Sequence, residues 1–224
     1  MTMLSSLDLM RRVPLFSMLS DAQLTAVTQA VVKRRFKRGE MIVEQGKKAN
    51  ALFILLNGRA RVVASNSRGR EVILAVLEPG NHIGEMSLID NEPHSATVRA
   101  EVQTDVLILG STEFARCLLE NTSMTYAVMR SLVQRLRYAS RRIESLALMD
   151  VYGRVAQALL EFAVDAGDGQ MRLREKISRQ DIAKMVGASR EMVSRVMKDL
   201  EENGLIQVQE DGTILIKGRL NPLD

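Results

Sequence analysis

Two groups of polar side chains in this sequence have types and spacings suited to binding charged, hydrogen-bonding ligands. In the first group, Arg190, Glu191 and Arg195 fall on one side of a predicted helix, opposite an apolar stripe. Arginine can donate two hydrogen bonds to guanine O6 and N7, and glutamate can accept one from cytosine N4. A surface that contacted only phosphates would avoid a carboxylate, so this face predicts the reading of base edges in duplex DNA. The alternative is a solvated face whose charges pair with one another.

The second group surrounds Gly84, in residues 84–88 and 93–96. A glycine that opens a short helical turn exposes backbone N–H groups that suit a phosphate. Glu85 can accept a hydrogen bond from a ribose hydroxyl, and Ser95 can donate one to a phosphate oxygen. The alternative for Gly84 is an ordinary turn. His94, Ser95 and Glu85 can be drawn as a catalytic set. Nothing in the sequence suggests a further group that would orient them for catalysis, so an enzyme is not predicted.

The elements around the first group are typical of a winged helix-turn-helix. Ser178 and Asp181 form a capping box at the start of one helix, and Ser189 caps a second after a tight turn at 187–188. Two alternating segments joined by an Asp-Gly turn at 211–212 then predict a hairpin, the wing. Because the N-terminal part of the second helix enters the major groove in such motifs, the predicted DNA contacts are Ser178, Arg179, Gln180, Ser189, Arg190, Glu191, Ser194, Arg195 and Lys198.

The second group lies in a region predicted to be rich in short strands. Apolar or alternating runs recur every 10–12 residues between Gly39 and Leu109, punctuated by glycines, which predicts an antiparallel sandwich or barrel. Residues 1–35 are predicted to be helical, with a helix that begins at Ser20-Asp21 and continues to Val32. The predicted strands are 41–43, 52–56, 60–64, 72–77, 96–100 and 106–109.

A long helix is predicted for residues 121–150. Its apolar positions are spaced 3, 4, 3, 4 and 3 apart and form a narrow seam flanked by charges, which is typical of a two-stranded coiled coil and predicts a homodimer. The alternative is a helix packed within its own domain. A twofold dimer with two recognition helices predicts a palindromic DNA site. The seam consists of Met129, Leu132, Leu136, Ala139, Ile143 and Leu146.

Composition excludes several classes of protein. The single cysteine, Cys117, forbids an intramolecular disulfide and any four-cysteine metal or iron–sulfur site. A formal net charge of +4 fits one basic face rather than a polycation. No apolar run approaches the roughly 20 residues of a membrane span, and the N-terminus does not read as a signal peptide. A cytoplasmic protein without a bound metal is predicted.

The order of these motifs resembles a family of bacterial transcription regulators, the cyclic-AMP receptor protein and fumarate–nitrate regulator superfamily. The resemblance covers nearly the whole chain and is nearest the cyclic-AMP receptor branch. It implies an α+β chain with an N-terminal cyclic-nucleotide-binding jelly roll of eight strands (1–120), a long coiled-coil dimerisation helix (121–150) and a C-terminal winged helix-turn-helix (151–224). The matching motifs are Pro14-Leu15-Phe16, Gly46, 52–58, 80–87 (GNHIGEMS), 146–154 (LALMDVYGR) and 189–195.

The resemblance also implies an effector site. The family's glutamate for the ribose and serine for the cyclic phosphate are kept as Glu85 and Ser95, whereas His94 stands in place of the phosphate-binding arginine and Ala139 in place of the threonine that reads adenine. Cyclic AMP is therefore one predicted effector, and the room at Ala139 makes cyclic di-GMP the other. Haem ligation by His82 or His94 is a weaker alternative. The predicted effector-binding residues are Gly84, Glu85, Met86, Ser87, His94, Ser95, Arg135, Ala139 and Ser140.

Together these patterns predict a homodimeric transcription regulator gated by a nucleotide second messenger. Its predicted site is the palindrome TGTGA-N6-TCACA, carried over from the family's base-reading residues. The resemblance also implies RNA polymerase as a partner, because the acidic loop at 165–169 lies where members of the family contact it. The alternatives are a cyclic-nucleotide-binding module that regulates another protein and a constitutive regulator of the same family.

Overall fold

The computed structural model describes residues 10–11, 13–167, 170–218 and 220. The chain divides into two compact units, Met1–Arg135 and Leu136–Asp224, and the division falls inside one long helix. The predicted functional boundaries at 120 and 150 stay a prediction, because the long helix is not a compact body of its own. No helix in the described parts of the chain is long and apolar enough to cross a membrane.

The first unit contains a sandwich of two four-stranded antiparallel sheets. The strand orders are β1-β8-β3-β6 and β2-β7-β4-β5, which is jelly-roll topology and confirms the predicted eight strands. The side chains of Phe53, Leu55, Val98 and Val106 pack in the interior of the sandwich. The strands are β1 (Val31–Phe36), β2 (Met41–Val43), β3 (Ala51–Asn57), β4 (Ala60–Ser65), β5 (Glu71–Leu77), β6 (His82–Ile83), β7 (Thr97–Ala100) and β8 (Thr104–Gly110).

Helices cover the other face of the β1-β8-β3-β6 sheet. Leu52 and Ile54 alternate with the interior residues of β3 and pack against Leu24, Phe114 and Met124. Strand β3 is therefore buried on both faces, which explains why its sequence is a continuous apolar run rather than an alternating one. The helices of this unit are α1 (Asp21–Ala30), α2 (Glu85–Asp90), α3 (Ser111–Glu120) and the first part of α4 (Thr122–Leu148).

The predicted end of the first helix is wrong. Its cap is as predicted, since the Ser20 side chain accepts a hydrogen bond from the backbone of Gln23, but the helix ends at Ala30 instead of Val32. Val31 and Val32 open strand β1 and pair with Leu109 and Ile108 of β8. Long-range pairing of two β-branched residues thus overrides the helical pattern before them. Residues 33–35, also predicted to be helical, belong to β1 as well. Residues 1–9 and 12 of the predicted helical region lie outside the described residues.

The second unit is a winged helix-turn-helix that follows the last turns of α4. Its four-stranded sheet has the order β11-β12-β10-β9, and β11 and β12 form the predicted wing. Val155, Leu159, Val193 and Leu200 lie in its core. The elements are α5 (Val151–Glu161), β9 (Ala163–Gly167), β10 (Gln170–Leu173), α6 (Arg179–Val186), α7 (Arg190–Glu202), β11 (Ile206–Val208) and β12 (Ile214–Ile216).

The acidic loop predicted at 165–169 is largely a strand. Residues 165–167 belong to β9, whose Val164 and Asp165 pair with Arg172 and Met171 of β10. Only 168–169 remain to connect the two strands, and they lie outside the described residues. This pairing was not predicted from the sequence, because the two strands are only five and four residues long.

Within the second unit, the end of α4 contacts the helix-turn-helix directly. Arg142 donates a hydrogen bond to the carbonyl of Met185, near the end of α6. The Ser145 hydroxyl donates to Gln157 Oε1 on α5 at 2.7 Å. Asp150, predicted as the hinge, lies in the break between α4 and α5 and accepts a hydrogen bond from the amide of Gly153 at 2.8 Å.

Candidate effector site and DNA-binding face

Gly84 links strand β6 to helix α2 in a backbone conformation that favours glycine. Its φ angle is +96°, and a Cβ at this position would lie 2.7 Å from the carbonyl oxygen of Ala51. The carbonyl of Gly84 accepts the amide of Leu88 at 3.1 Å, which starts the helix. Glu85 is therefore the first residue of α2 and directly follows the Gly84 turn.

Glu85 is almost completely buried, with 1% of its surface exposed. Its Oε1 accepts a hydrogen bond from Arg135 of α4 at 2.7 Å. Its other carboxylate oxygen, Oε2, is buried and has no hydrogen-bond partner among the described residues. Burial raises the pKa of Glu85, and the Arg135 charge acts in the opposite direction. A fixed carboxylate with one unused acceptor can receive a hydrogen bond from a ligand hydroxyl.

Arg135 connects three elements around this carboxylate. Its guanidinium binds Glu85 on α2 and donates a second hydrogen bond to the backbone carbonyl of His82 on β6. The imidazole of His82 is buried opposite Ile54, and its Nε2 has no hydrogen-bond partner in the described parts of the chain. Burial, and to a smaller extent Arg135, lowers the pKa of His82 to about 4. His82 is therefore neutral near pH 7.

His94 is also buried and lies next to the Gly84 turn. Its Nδ1 is 3.4 Å from the Ser87 hydroxyl, and its Cε1 would be 3.7 Å from a Cβ at Gly84. Backbone hydrogen bonds at 2.9 and 2.8 Å join His94 to Lys47 and Gly46. Burial lowers the pKa of His94. No cluster of three or more His, Cys, Asp or Glu side chains in the described parts of the chain could hold a metal ion.

The first unit therefore brings five of the nine predicted effector-binding residues close together. Met86 and Ser95 adjoin this group and are exposed. Ala139 and Ser140 follow Arg135 by about one turn on α4 but fall in the second unit, and the Ser140 hydroxyl donates to the carbonyl of Leu136 at 3.0 Å. Their part in effector binding stays a prediction. The five residues are Gly84, Glu85, Ser87, His94 and Arg135.

The helix-turn-helix has the predicted caps. The Ser178 hydroxyl accepts the amide of Asp181 at 3.0 Å, and the Ser189 hydroxyl accepts the amide of Met192 at 3.2 Å. Gly187, with φ of +66°, ends α6 in a left-handed conformation and allows the tight turn. Arg179 and Gln180 are exposed in the first turn of α6.

Helix α7 separates an apolar face from a charged one, as predicted. Val193, Met197 and Leu200 are buried on the inner face. The outer face carries the exposed side chains of Arg190, Glu191, Arg195 and Lys198, with Ser194 half-buried.

On α7, Lys198 forms a salt bridge, with its Nζ 3.4 Å from Glu202 Oε1. Within the described residues, no salt bridge engages Arg190 or Arg195. Hydrogen bonds to its own backbone and to Ser189 hold the pKa of Glu191 below its usual value, with smaller effects of the two arginines. Glu191 is therefore an ionised acceptor at neutral pH, so the face can both donate and accept hydrogen bonds.

Comparisons with known proteins agree with this architecture. Residues 33–121 match the cyclic nucleotide-binding domain family, and residues 153–220 match the Crp-like helix-turn-helix domain family. The cAMP-activated global transcriptional regulator Vfr of Pseudomonas aeruginosa is 34% identical over 183 residues, which cover 79% of this chain and 86% of Vfr. The regulator CRP of Salmonella typhimurium is 34% identical over 180 residues, or 79% of this chain and 85% of CRP. This chain belongs to the CRP/FNR superfamily.

As a CRP/FNR regulator near the CRP branch, the protein is a DNA-binding transcription regulator with a cyclic-nucleotide-binding domain, which confirms the resemblance drawn from the sequence. The relatives are transcription regulators rather than enzymes. Among solved structures, the c-di-GMP responsive regulator CLP of Xanthomonas campestris has the same fold, with a TM-score of 0.78 and 24% identity over 89% of this chain and 100% of CLP.

The Gly84 turn of this CRP/FNR regulator gives a direct test of the pocket's geometry. Gly84→Ala should destabilise the protein more than Gly69→Ala, because both glycines have positive φ but only Gly84 would place a Cβ against backbone, whereas Gly69 has nothing within 4 Å. The left-handed conformation alone costs about 1–2 kcal/mol, and overpacking adds about 1–3 kcal/mol. Urea unfolding measures both variants, and equal losses would contradict the close approach to Ala51.

Proposed function

We propose that this regulator is a homodimer whose binding to a TGTGA-N6-TCACA palindrome is gated by a cyclic nucleotide bound at Glu85. The observation that carries the proposal is the buried Glu85 carboxylate. Arg135 binds one of its oxygens, and the other oxygen has no hydrogen-bond partner within the described residues. An unsatisfied buried acceptor is costly in a folded protein. A ribose hydroxyl that donates a hydrogen bond to Oε2 removes this cost. The unsatisfied oxygen therefore favours nucleotide binding at this site.

Cyclic AMP is the first candidate effector, because Vfr and CRP are both described as cAMP-activated. Its affinity should be lower than in relatives that have an arginine at the position of His94, since a charge-assisted bidentate contact is lost. Cyclic di-GMP is the second candidate, supported by the small side chain at Ala139.

Titration calorimetry tests the effector. Cyclic AMP, cyclic GMP and cyclic di-GMP are each titrated into the full chain, with Glu85→Gln as the variant that loses the ribose acceptor. We expect heat from at least one nucleotide and a marked loss of affinity in Glu85→Gln. Absence of heat with all three, together with unchanged DNA affinity in their presence, would leave a constitutive regulator.

The homodimer is supported by the surface of α4. Met129, Leu136, Ile143 and Leu146 of the predicted seam are all more than half exposed in the single chain. Leu132 is the exception, since it packs partly against the core of the first unit. A stripe of large exposed apolar side chains along one helix is typical of an interface, and a second copy of α4 would cover it.

Base reading is supported by the outer face of α7, where Arg190, Glu191 and Arg195 are exposed side by side. The family assigns residues of these types to a TGTGA half-site, and two such helices in a twofold dimer read both halves of the palindrome. We also propose RNA polymerase as a partner; the short β9–β10 hairpin takes the place of the predicted acidic loop.

Arg190→Ala and Lys198→Ala should affect DNA binding in different ways. Arg190→Ala should lose about 1–3 kcal/mol on the palindrome and relax the preference at one guanine, because a bidentate base contact is removed. Lys198→Ala should weaken all sequences alike and reduce the salt dependence by about one unit, as expected for a phosphate contact. Gel-shift titrations on matched and substituted palindromes measure both. Equal weakening of all probes by Arg190→Ala would contradict base reading.

A further inference from the structure

We propose that His94 binds the effector's phosphate as an imidazolium, so that the nucleotide and one proton bind together. The proposal rests on the proposed function, because it concerns the same nucleotide pocket. It adds a second ligand, the proton, and makes the affinity for the nucleotide depend on pH.

The position of His94 is fixed by its surroundings. Only 9% of its surface is exposed, its ring lies against the Gly84 turn, and its backbone is hydrogen-bonded to Gly46 and Lys47. Nδ1 lies 3.4 Å from the Ser87 hydroxyl, whereas Nε2 makes no hydrogen bond with any described residue. The exposed Ser95 follows directly in the chain. The ring therefore has a free nitrogen in the part of the chain where the nucleotide is proposed to bind.

The other charged side chains near the pocket are either hydrogen-bonded to protein groups or exposed to solvent. Arg135 is committed to Glu85 and to the carbonyl of His82. Strand β3, which approaches the Gly84 turn, carries no charged residue. The remaining charged residues on the segments that contact His94 are all exposed; they are Glu44, Lys47, Lys48, Asp90 and Glu92.

A cyclic phosphate carries one negative charge and is poorly balanced by these groups. Burial alone accounts for the lowered pKa of His94, with no charged neighbour among its causes. The ring is thus mainly neutral at pH 7 in the free protein. A bound phosphate beside it favours the charged form and raises its pKa. Protonation then supplies a charge-assisted hydrogen bond that a neutral ring cannot provide.

The sign of the pH dependence follows from this change. The affinity should be greatest below the pKa of His94 in the free protein and should fall as pH rises towards its pKa in the complex. Between these two values the dissociation constant should rise up to about tenfold per pH unit. Glu85 affects the affinity for the nucleotide in the opposite direction, since its protonation at low pH removes the charged acceptor. His82, the other of the two histidines, titrates near pH 4 and does not contribute between pH 6 and 8.

Calorimetry of the full chain with cyclic AMP at pH 6, 7 and 8 tests the proposal. At each pH the titration is repeated in two buffers of different ionisation enthalpy, so that the number of protons taken up is measured directly. We expect proton uptake on binding and an affinity that falls across this range. His94→Arg should bind more tightly, without proton uptake and with little dependence on pH, because its cation is permanent. Any pH dependence from Glu85 remains in this variant, so the difference between the two proteins isolates His94.

His94→Gln supplies the neutral control. It retains a hydrogen-bond donor but cannot take up a proton, so it should match the wild type at pH 8 and bind several-fold more weakly at pH 6. Wild-type binding without proton uptake and with the pH profile of His94→Arg would overturn the role of the imidazolium. Failure of both the wild type and His94→Arg to bind cyclic AMP or cyclic di-GMP would instead overturn the proposed function. Thermal unfolding confirms that each variant is folded.

Discussion

Replacing Arg135 with leucine should destabilise the first unit, which contains the candidate effector site, by about 2–3 kcal/mol. The change removes the partner of a carboxylate that is 1% exposed, and an uncompensated buried charge is strongly unfavourable. The value is at the lower end of that expected for buried pairs, because the Arg135 side chain is 37% exposed and partly screened by water. Urea-induced unfolding of the full chain measures the loss.

Two controls distinguish the loss of the partner of Glu85 from a general effect of the substitution on α4. Arg137→Leu removes an exposed arginine two residues along the same helix and should change stability little. The double variant Arg135→Leu with Glu85→Gln has no buried charge and should recover most of the loss. A double variant as unstable as Arg135→Leu alone would show that packing of the guanidinium, and not the charge of Glu85, is responsible.

The loss of stability in Arg135→Leu should also depend on pH in a defined direction. Burial already raises the pKa of Glu85 in the folded protein, and removing Arg135 takes away the group that opposes this shift. The folded state of Arg135→Leu then binds a proton more readily than the unfolded chain, so its stability rises as pH falls. The difference from the wild type should therefore be largest at neutral pH and shrink towards pH 5.

Leu136→Asp should produce a folded monomer that binds DNA poorly. Leu136 is 68% exposed in the single chain, so an aspartate there does not disturb the fold of the protomer. In the proposed dimer the same position is covered by the partner helix, and two carboxylates would be buried against each other at a cost of several kcal/mol. Sedimentation at micromolar concentration measures the oligomeric state, and gel shifts on the palindrome measure DNA binding.

Gln134→Asp is the matched control for this variant. It introduces the same charge on the same helix, but heptad spacing places Gln134 on the face opposite the seam, where it is exposed. We expect a dimer with normal DNA binding. A wild-type protein that sediments as a monomer, or a Leu136→Asp protein that remains dimeric, would show that the seam does not hold two chains together.

Local signals in the sequence determined most of the secondary structure. Caps and turns depend on residues three or four positions apart, so Ser178, Ser189 and Gly187 mark the limits of α6 and α7 without reference to the rest of the chain. The recurrence of short apolar runs predicted the sandwich, because strand length and turn spacing are also local properties of the sequence. The motifs at 80–87, 146–154 and 189–195 were central to the resemblance to the CRP/FNR superfamily, which the comparisons confirm.

Only the tertiary structure decided how distant residues act on one another. The sequence predicted Glu85 and Arg135 as members of one site. It did not show that the arginine binds one carboxylate oxygen across 50 positions, while the other oxygen has no partner among the residues that the structure describes. Val31 is a strand residue because Leu109 lies beside it, and Asp165 is one because Met171 does. Ion pairs, burial and strand pairing depend on which segments fold against each other, and local spacing carries no record of a neighbour brought close by folding.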